Sequence, residues 1–178
     1  DPKTAWTDTK YLQGVDWRRT RAYGLGLGSV YLNLAGRERY GVVPQSQAEE
    51  LQNEIRTALL EVKDPANGTS VLQNVYHGRD IYRGACQGDA PDLQLGFHDG
   101  YQMNKVSAAG AVPKDVLAPN ADKWSGEHAA ADVNGAPGIL FSNRPLGPEA
   151  TILDIGVTAL AYLRVAAPDT LEGKNVLV

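Results

Sequence analysis

Residues 46–63, SQAEELQNEIRTALLEVK, are the stretch that most narrows what this chain can become. Leu51, Ile55, Ala58, Leu59 and Val62 recur at the three- and four-residue spacing of one helix face, so the segment predicts an amphipathic helix with that stripe turned inward. Ser46 and Glu49 have the S-x-x-E spacing of a capping box, and Lys63 falls at the negative C-terminal end. Just ahead, in GSVYLNLAGRERYGVV (28–43), Val30, Leu32 and Leu34 alternate with Tyr31 and Asn33, the period of a half-buried strand. AGRE reads as a turn and RYGVV as a returning strand, a hairpin that Pro44 ends. A strand stripe followed by a helix stripe calls for a sheet with helices laid on it.

The same alternation continues. DPANG (64–68) is a turn cluster, and TSVLQNVY (69–76) and PDLQLGF (91–97) read as strands. From 98 to 137 no periodicity is sustained, and a connection that long inside a domain is usually functional. PGILFSN (137–143) reads as a short buried strand. TILDIGVTALAYLRV (151–165) predicts a second helix, with Thr151 and Asp154 as its capping box and Ile155, Ala159, Leu160 and Leu163 inward. The tail closes on a short strand. The expectation is an α/β fold over residues 1–178, a single domain or the C-terminal fragment of a larger one. Its 178 residues suffice for one core, and 19 Gly and 10 Pro supply long connections.

Charge and motifs remove several functions. A net charge of −4 argues against a nucleic-acid footprint, and RRTR (18–21) and GRER (36–39) read as surface or ion-pairing residues. No apolar run approaches the ~20 residues of a membrane span. The chain opens on DPKTAW, without a Met, as a processed chain or a fragment would. Cys86 has no intrachain partner and reads as a lone buried or surface thiol in preference to a ligand or nucleophile. YGLGLGS (23–29) has neither the G-x-G-x-x-G order nor a P-loop lysine, and reads as backbone passing close under a neighbour. There is no G-x-S-x-G elbow. The histidines are His77, His98 and His128, and no two are close enough in sequence to share one turn as a ligand pair. His77 and His98 read as surface or cleft-edge residues, with Asp99 and Tyr101 candidates to line a substrate cleft. His128, after Trp124, Ser125 and Gly126, reads either as a solvated loop histidine or as a metal ligand on a glycine-containing turn.

Several stretches, read in order, resemble one family. They are VDWRRTRAYGLGLGSVYLNLAGRERYGVV (15–43), APDLQLGF with GY (90–101), DKWSGEH (122–128), PGILFSNRP (137–145) and ILDIGVTALAYL with APDTLEGKNV (152–176). Together they resemble the C-terminal portion of the type I phosphodiesterase/nucleotide pyrophosphatase branch of the alkaline-phosphatase superfamily. The resemblance implies an alkaline-phosphatase-like doubly wound sheet with helices packed on it and long Gly/Pro-rich loops. It implies two zinc ions that activate a Thr or Ser nucleophile, and it assigns a metal-ligand role to His128. The family's nucleophile and its Asp-His-Gly motif have no counterpart here, and Glu127, Lys105 and DIGVT depart from its usual residues. The expectation is therefore the C-terminal part of a zinc-dependent phosphodiesterase, inactive alone. Its partners would be a phosphodiester or nucleotide-like small molecule and the missing N-terminal part. The alternatives are a standalone non-catalytic ligand- or partner-binding domain, or part of a phosphomutase of the same superfamily.

Overall fold

The structure, a computed structural model, describes residues 12, 14–111, 113, 115–121, 123, 126, 130–135, 137–147 and 149–178. It is a mixed α/β chain that divides into two compact units between Ala136 and Pro137. The first unit holds a four-stranded antiparallel sheet of β1 (Ala22–Gly24), β2 (Ser29–Leu32), β3 (Leu72–His77) and β4 (Leu93–Phe97), in the order β1-β2-β4-β3. Its helices are α1 (Ala48–Leu60) and two single turns, α2 (Gly78–Ile81) and α3 (Lys105–Ala108).

The pleat of β4 puts Leu93, Leu95 and Phe97 on one face, all buried. On β3 the buried pair is Leu72 and Val75, a spacing of three that plain alternation forbids. A register irregularity between Leu72 and Asn74 resets the pleat and turns both inward. Against this face α1 lays Ile55 and Leu59, while its buried Leu51 joins Leu32, Leu34 and Val43 in an adjoining cluster. The packed ridge is the i, i+4 row through 51, 55 and 59, so Ala58, expected inward, stays exposed. The capping box does not form either. Pro44 starts a 3-10 turn over Gln45–Gln47, which makes Gln47 the N-cap and puts Ser46 out of register. Glu49 instead pairs with Arg79 at 2.8 Å.

The expected hairpin is corrected. Strand β2 pairs with β1, not with 39–43, and YGLGLGS is the turn between them, with Gly26 and Gly28 at positive φ. Residues 33–43 form a compact loop because its polar residues face in. The buried Asn33 donates through Nδ2 to the carbonyls of Trp17, Thr20 and Tyr40, while Arg37 and Glu38 fold back onto the sheet. Val43 returns beside Leu34 in a parallel bridge. Gly41 lies so close that a Cβ there would run into the Leu34 carbonyl oxygen. Gly41→Ala is expected to lower stability by about 1–3 kcal/mol, read from the urea midpoint.

The second unit holds α4 (Ile152–Tyr162), which begins where its sequence signals say. The Asp154 carboxylate accepts from Thr151 N at 2.7 Å and Thr151 Oγ1 at 2.9 Å, and from Lys174 N in the tail at 2.8 Å. Those bonds hold its carboxyl below the ordinary value, the Lys174 N–H contributing most. Leu146 and Leu177 form an antiparallel bridge, which is all that remains of the expected closing strand. Two expectations are corrected. The run 137–143 is not a buried strand, since Ile139 and Phe141 are 81% and 90% exposed. Ile155, Ala159 and Leu163 are exposed rather than inward, and Leu160 is half-buried. A unit this small covers only the side of α4 where Asp154 and Thr158 bond the tail and Val176 packs.

Candidate functional site

The second face of the sheet carries the polar residues of the pleat: Asn74 and Tyr76 on β3, Gln94 and Gly96 on β4. Here the long connection returns. Ala130 O accepts from Phe97 N at 2.9 Å, and Asp132 N donates to Phe97 O at 3.2 Å, so residues 130–132 run beside the end of β4 beyond β2. Two glycines make room. A Cβ on Gly28 would sit 2.9 Å from the Ala130 Cβ, and one on Gly96 would overlap the Asp132 carboxylate. Close passage beneath a neighbour was the expectation for YGLGLGS, and Gly28 provides it.

Asp132 is 1% exposed. Its Oδ2 accepts from Tyr76 Oη at 2.7 Å and Asn74 Nδ2 at 2.9 Å, and its Oδ1 from Asn134 N and Nδ2, each at 2.9 Å. Burial alone would push this carboxyl up. The four bonds outweigh it and hold it below its ordinary 3.8. The same contact, after burial, pushes the Tyr76 hydroxyl up. Tyr76→Phe is expected to cost about 1.5–3 kcal/mol, the range for a hydrogen bond to a charged group. A carboxyl lowered by folding stabilises above its unfolded pKa and loses that contribution as pH falls through the folded value. Urea titrations at successively lower pH should therefore show the wild type converging on Tyr76→Phe as Asp132 protonates. Ala130, at the start of the anchor, has φ +62°, a left-handed conformation unusual for alanine.

The sequence-predicted residues fall as follows. His128, with Trp124, Ser125 and Glu127, lies outside the described residues. The anchor at Ala130 begins two residues after it. Asp99 is exposed and sits beside this anchor, its Oδ1 3.2 Å from where a Cβ on Gly135 would be. Tyr101 is half-buried and turned to a different loop: its hydroxyl donates to Asp64 Oδ2 at 2.9 Å and accepts from Asn67 Nδ2 at 3.3 Å. His98 is half-buried just past β4, His77 sets Nδ1 3.0 Å from Gln52 Oε1, and Cys86 is exposed. Asp132, Asn74 and Tyr76 went unnoticed in the sequence. The signal was Gly96, a glycine inside a strand.

Among the described residues, no three of His, Cys, Asp and Glu come together as a metal site. The described donors do not by themselves fit a zinc ion, because the Asp132 oxygens already accept four hydrogen bonds. A cavity of about 230 Å³ lies elsewhere in the first unit, between Arg37, Gln52, Arg79, Gln87 and Asp92, but both arginines are ion-paired. In the second unit an apolar groove of about 350 Å³ runs along α4 past Phe141, Ile155 and Tyr162. No helix among the described residues is long and apolar enough to cross a membrane. Comparison with protein-family models, with curated proteins and with solved structures finds no match.

Proposed function

We propose that this chain is the C-terminal part of a zinc-dependent phosphodiesterase or nucleotide pyrophosphatase-like hydrolase, to which His128 contributes one metal ligand. What carries the reading is the resemblance of DKWSGEH (122–128), in order with YLNLAGRE (31–38) and APDLQLGF (90–97), to that family. The anchor after this loop supports it: a strained Ala130 and a buried Asp132 give the connection a fixed return to the sheet. The antiparallel sheet is read as one flank of the family's doubly wound sheet, and Asp99 as a residue at the edge of the substrate cleft. With zinc bound by the complete ligand set, the metal pair would supply electrostatic stabilisation of the phosphoryl oxygens. This chain holds at most one of those ligands and none of the family's nucleophile, so it is not expected to turn over alone.

Two measurements test this. The intact mass of the native gene product is expected well above 19.1 kDa, and a native mass near that value would sink the catalytic reading. Zinc titration followed by the histidine ring NMR signals is expected to shift the signal that His128→Ala removes, leaving those of His77 and His98 in place. A titration that moves all three alike, or none, would contradict the assigned ligand.

A further inference from the structure

The chain contains two Asn-Gly dipeptides, Asn67-Gly68 and Asn134-Gly135, both on exposed turns. At such a pair the glycine nitrogen has no neighbouring side chain to shield it, so it can attack the asparagine amide carbon directly. Both glycine N–H groups are bonded, Gly68 to Asp64 O at 2.7 Å and Gly135 to Asp132 O at 2.9 Å. Each turn must therefore open before reaction, and that requirement does not separate them. The side chains do.

Asn134 is clamped backward. Asp132 Oδ1 accepts from both its Nδ2 and its backbone N at 2.9 Å, so the side-chain amide is tied to the carboxylate of residue 132 and must break that bond before it can react. Asp132 is itself buried and fixed by β3, so this clamp belongs to the sheet rather than to the loop. Asn67 is turned forward. Its Oδ1 accepts from Thr69 N at 2.8 Å, a bond that spans Gly68 and draws electron density from Cγ. Among the described residues its Nδ2, the leaving group, has one partner, the Tyr101 hydroxyl at 3.3 Å.

We propose that Asn67 is a self-modifying site in the folded protein, converting to aspartate and isoaspartate without an enzyme, while Asp132 protects Asn134. The Gly68 nitrogen loses its proton to solvent base and bonds to Asn67 Cγ. The Cγ–Nδ2 bond breaks, and the nitrogen leaves as ammonia after taking up a proton. Water then opens the resulting succinimide at either carbonyl, so the net change is one water consumed and one ammonia released. The product carboxylate faces Asp64 across the Tyr101 hydroxyl, replacing a donor with a like charge. The turn between α1 and β3 then loses one of its two bonds to Tyr101 and keeps the one from the Tyr101 hydroxyl to Asp64.

The test needs no variant. The folded protein is aged at mildly alkaline pH below its melting transition, in parallel with the urea-unfolded chain. Peptide mapping reads the one-dalton mass gain and the isoaspartate at each asparagine. In the unfolded chain the two sites are expected to react at similar rates. Folding is expected to raise the Asn67-to-Asn134 ratio by about tenfold, the rate equivalent of the difference between the charge-assisted bond that the Asn134 leaving nitrogen makes to the Asp132 carboxylate and the neutral one that Asn67 Nδ2 makes to the Tyr101 hydroxyl. A folded ratio equal to the unfolded one, faster reaction at Asn134, or no product at either site while the unfolded chain reacts would each overturn the proposal.

Discussion

Asp92→Ala is expected to cost the first unit about 3–5 kcal/mol, the range for breaking a buried ion pair from one side. The Asp92 side chain is 9% exposed and that of Arg37 21%, so solvent screens the pair little. Asp92 Oδ2 accepts from Arg37 Nη2 at 2.6 Å and from Leu32 N at 2.6 Å, while Arg37 Nη2 also donates to Leu32 O at 2.8 Å. Arg37 Nε reaches Glu38 at 2.7 Å, and Glu38 in turn accepts from Leu34 N at 2.7 Å. The carboxylate thus closes the end of β2 on its β4 side, where the ladder to β4 has stopped, while Leu32 pairs with Ala22 of β1 on the other side. Removing Asp92 takes the carboxylate from one end of the guanidinium, which keeps only Glu38 and the Leu32 carbonyl, and leaves the Leu32 N–H without this acceptor. Thermal unfolding is expected to fall by about 10 °C for such a loss in a unit of this size. Replacing both partners, as Arg37→Met with Asp92→Leu, is expected to be milder, since the pair is then removed whole and only Glu38, which keeps its bond from Leu34 N, loses a contact to Arg37. Equal losses in the single and double variants would mean that the region is held by shape and not by the pair.

That ion pair also shows where reading the sequence stops. The helix and strands were legible because each has a period that its own residues display, as at Leu51, Ile55 and Leu59 or Leu93, Leu95 and Phe97. The loop after β2 was misread as a strand because its shape depends on Asp92, 55 positions away from Arg37. Local alternation around Val42 and Val43 has no means of registering such a partner. Likewise, α4 was placed correctly by Thr151 and Asp154, whereas its inward face was not. Its polar residues Asp154 and Thr158 share one face, which periodicity turns outward, and their bonds to Lys174 and Val176 turn it inward instead. For the candidate site, the sequence singled out the loop that returns at Ala130 but not what holds it. Asp132 sits in a stretch without periodicity. Its partners Asn74 and Tyr76 look like ordinary residues of a polar strand face. Gly96 alone marked that something approaches there, and it says where rather than what.

Asp132→Ala is expected to release that return segment, and its effect should be local before it is global. The substitution leaves Tyr76 Oη and Asn74 Nδ2 facing a space that Gly96 keeps open, and Asn134 loses both of its bonds. Buried donors without partners cost about 1–3 kcal/mol each, so a total near 3 kcal/mol is expected after partial relaxation. Hydrogen exchange separates two routes. If the carboxylate pins the segment to the sheet, the Phe97 and Asp132 amides that pair with 130–132 should lose protection by roughly a hundredfold. The Leu95 and Val75 amides in the core of the sheet should lose less than about tenfold, because once the segment has opened the remaining sheet no longer depends on its bonds. The Tyr76→Phe variant, which removes one bond and leaves the carboxylate, should fall between wild type and Asp132→Ala on the same amides. Uniform loss of protection across β3 and β4 would instead make Asp132 a contributor to the core and not an anchor. The local outcome would tie the loop bearing His128 to one buried side chain, so that the position of the proposed ligand depends on a residue four places downstream that need never touch the metal.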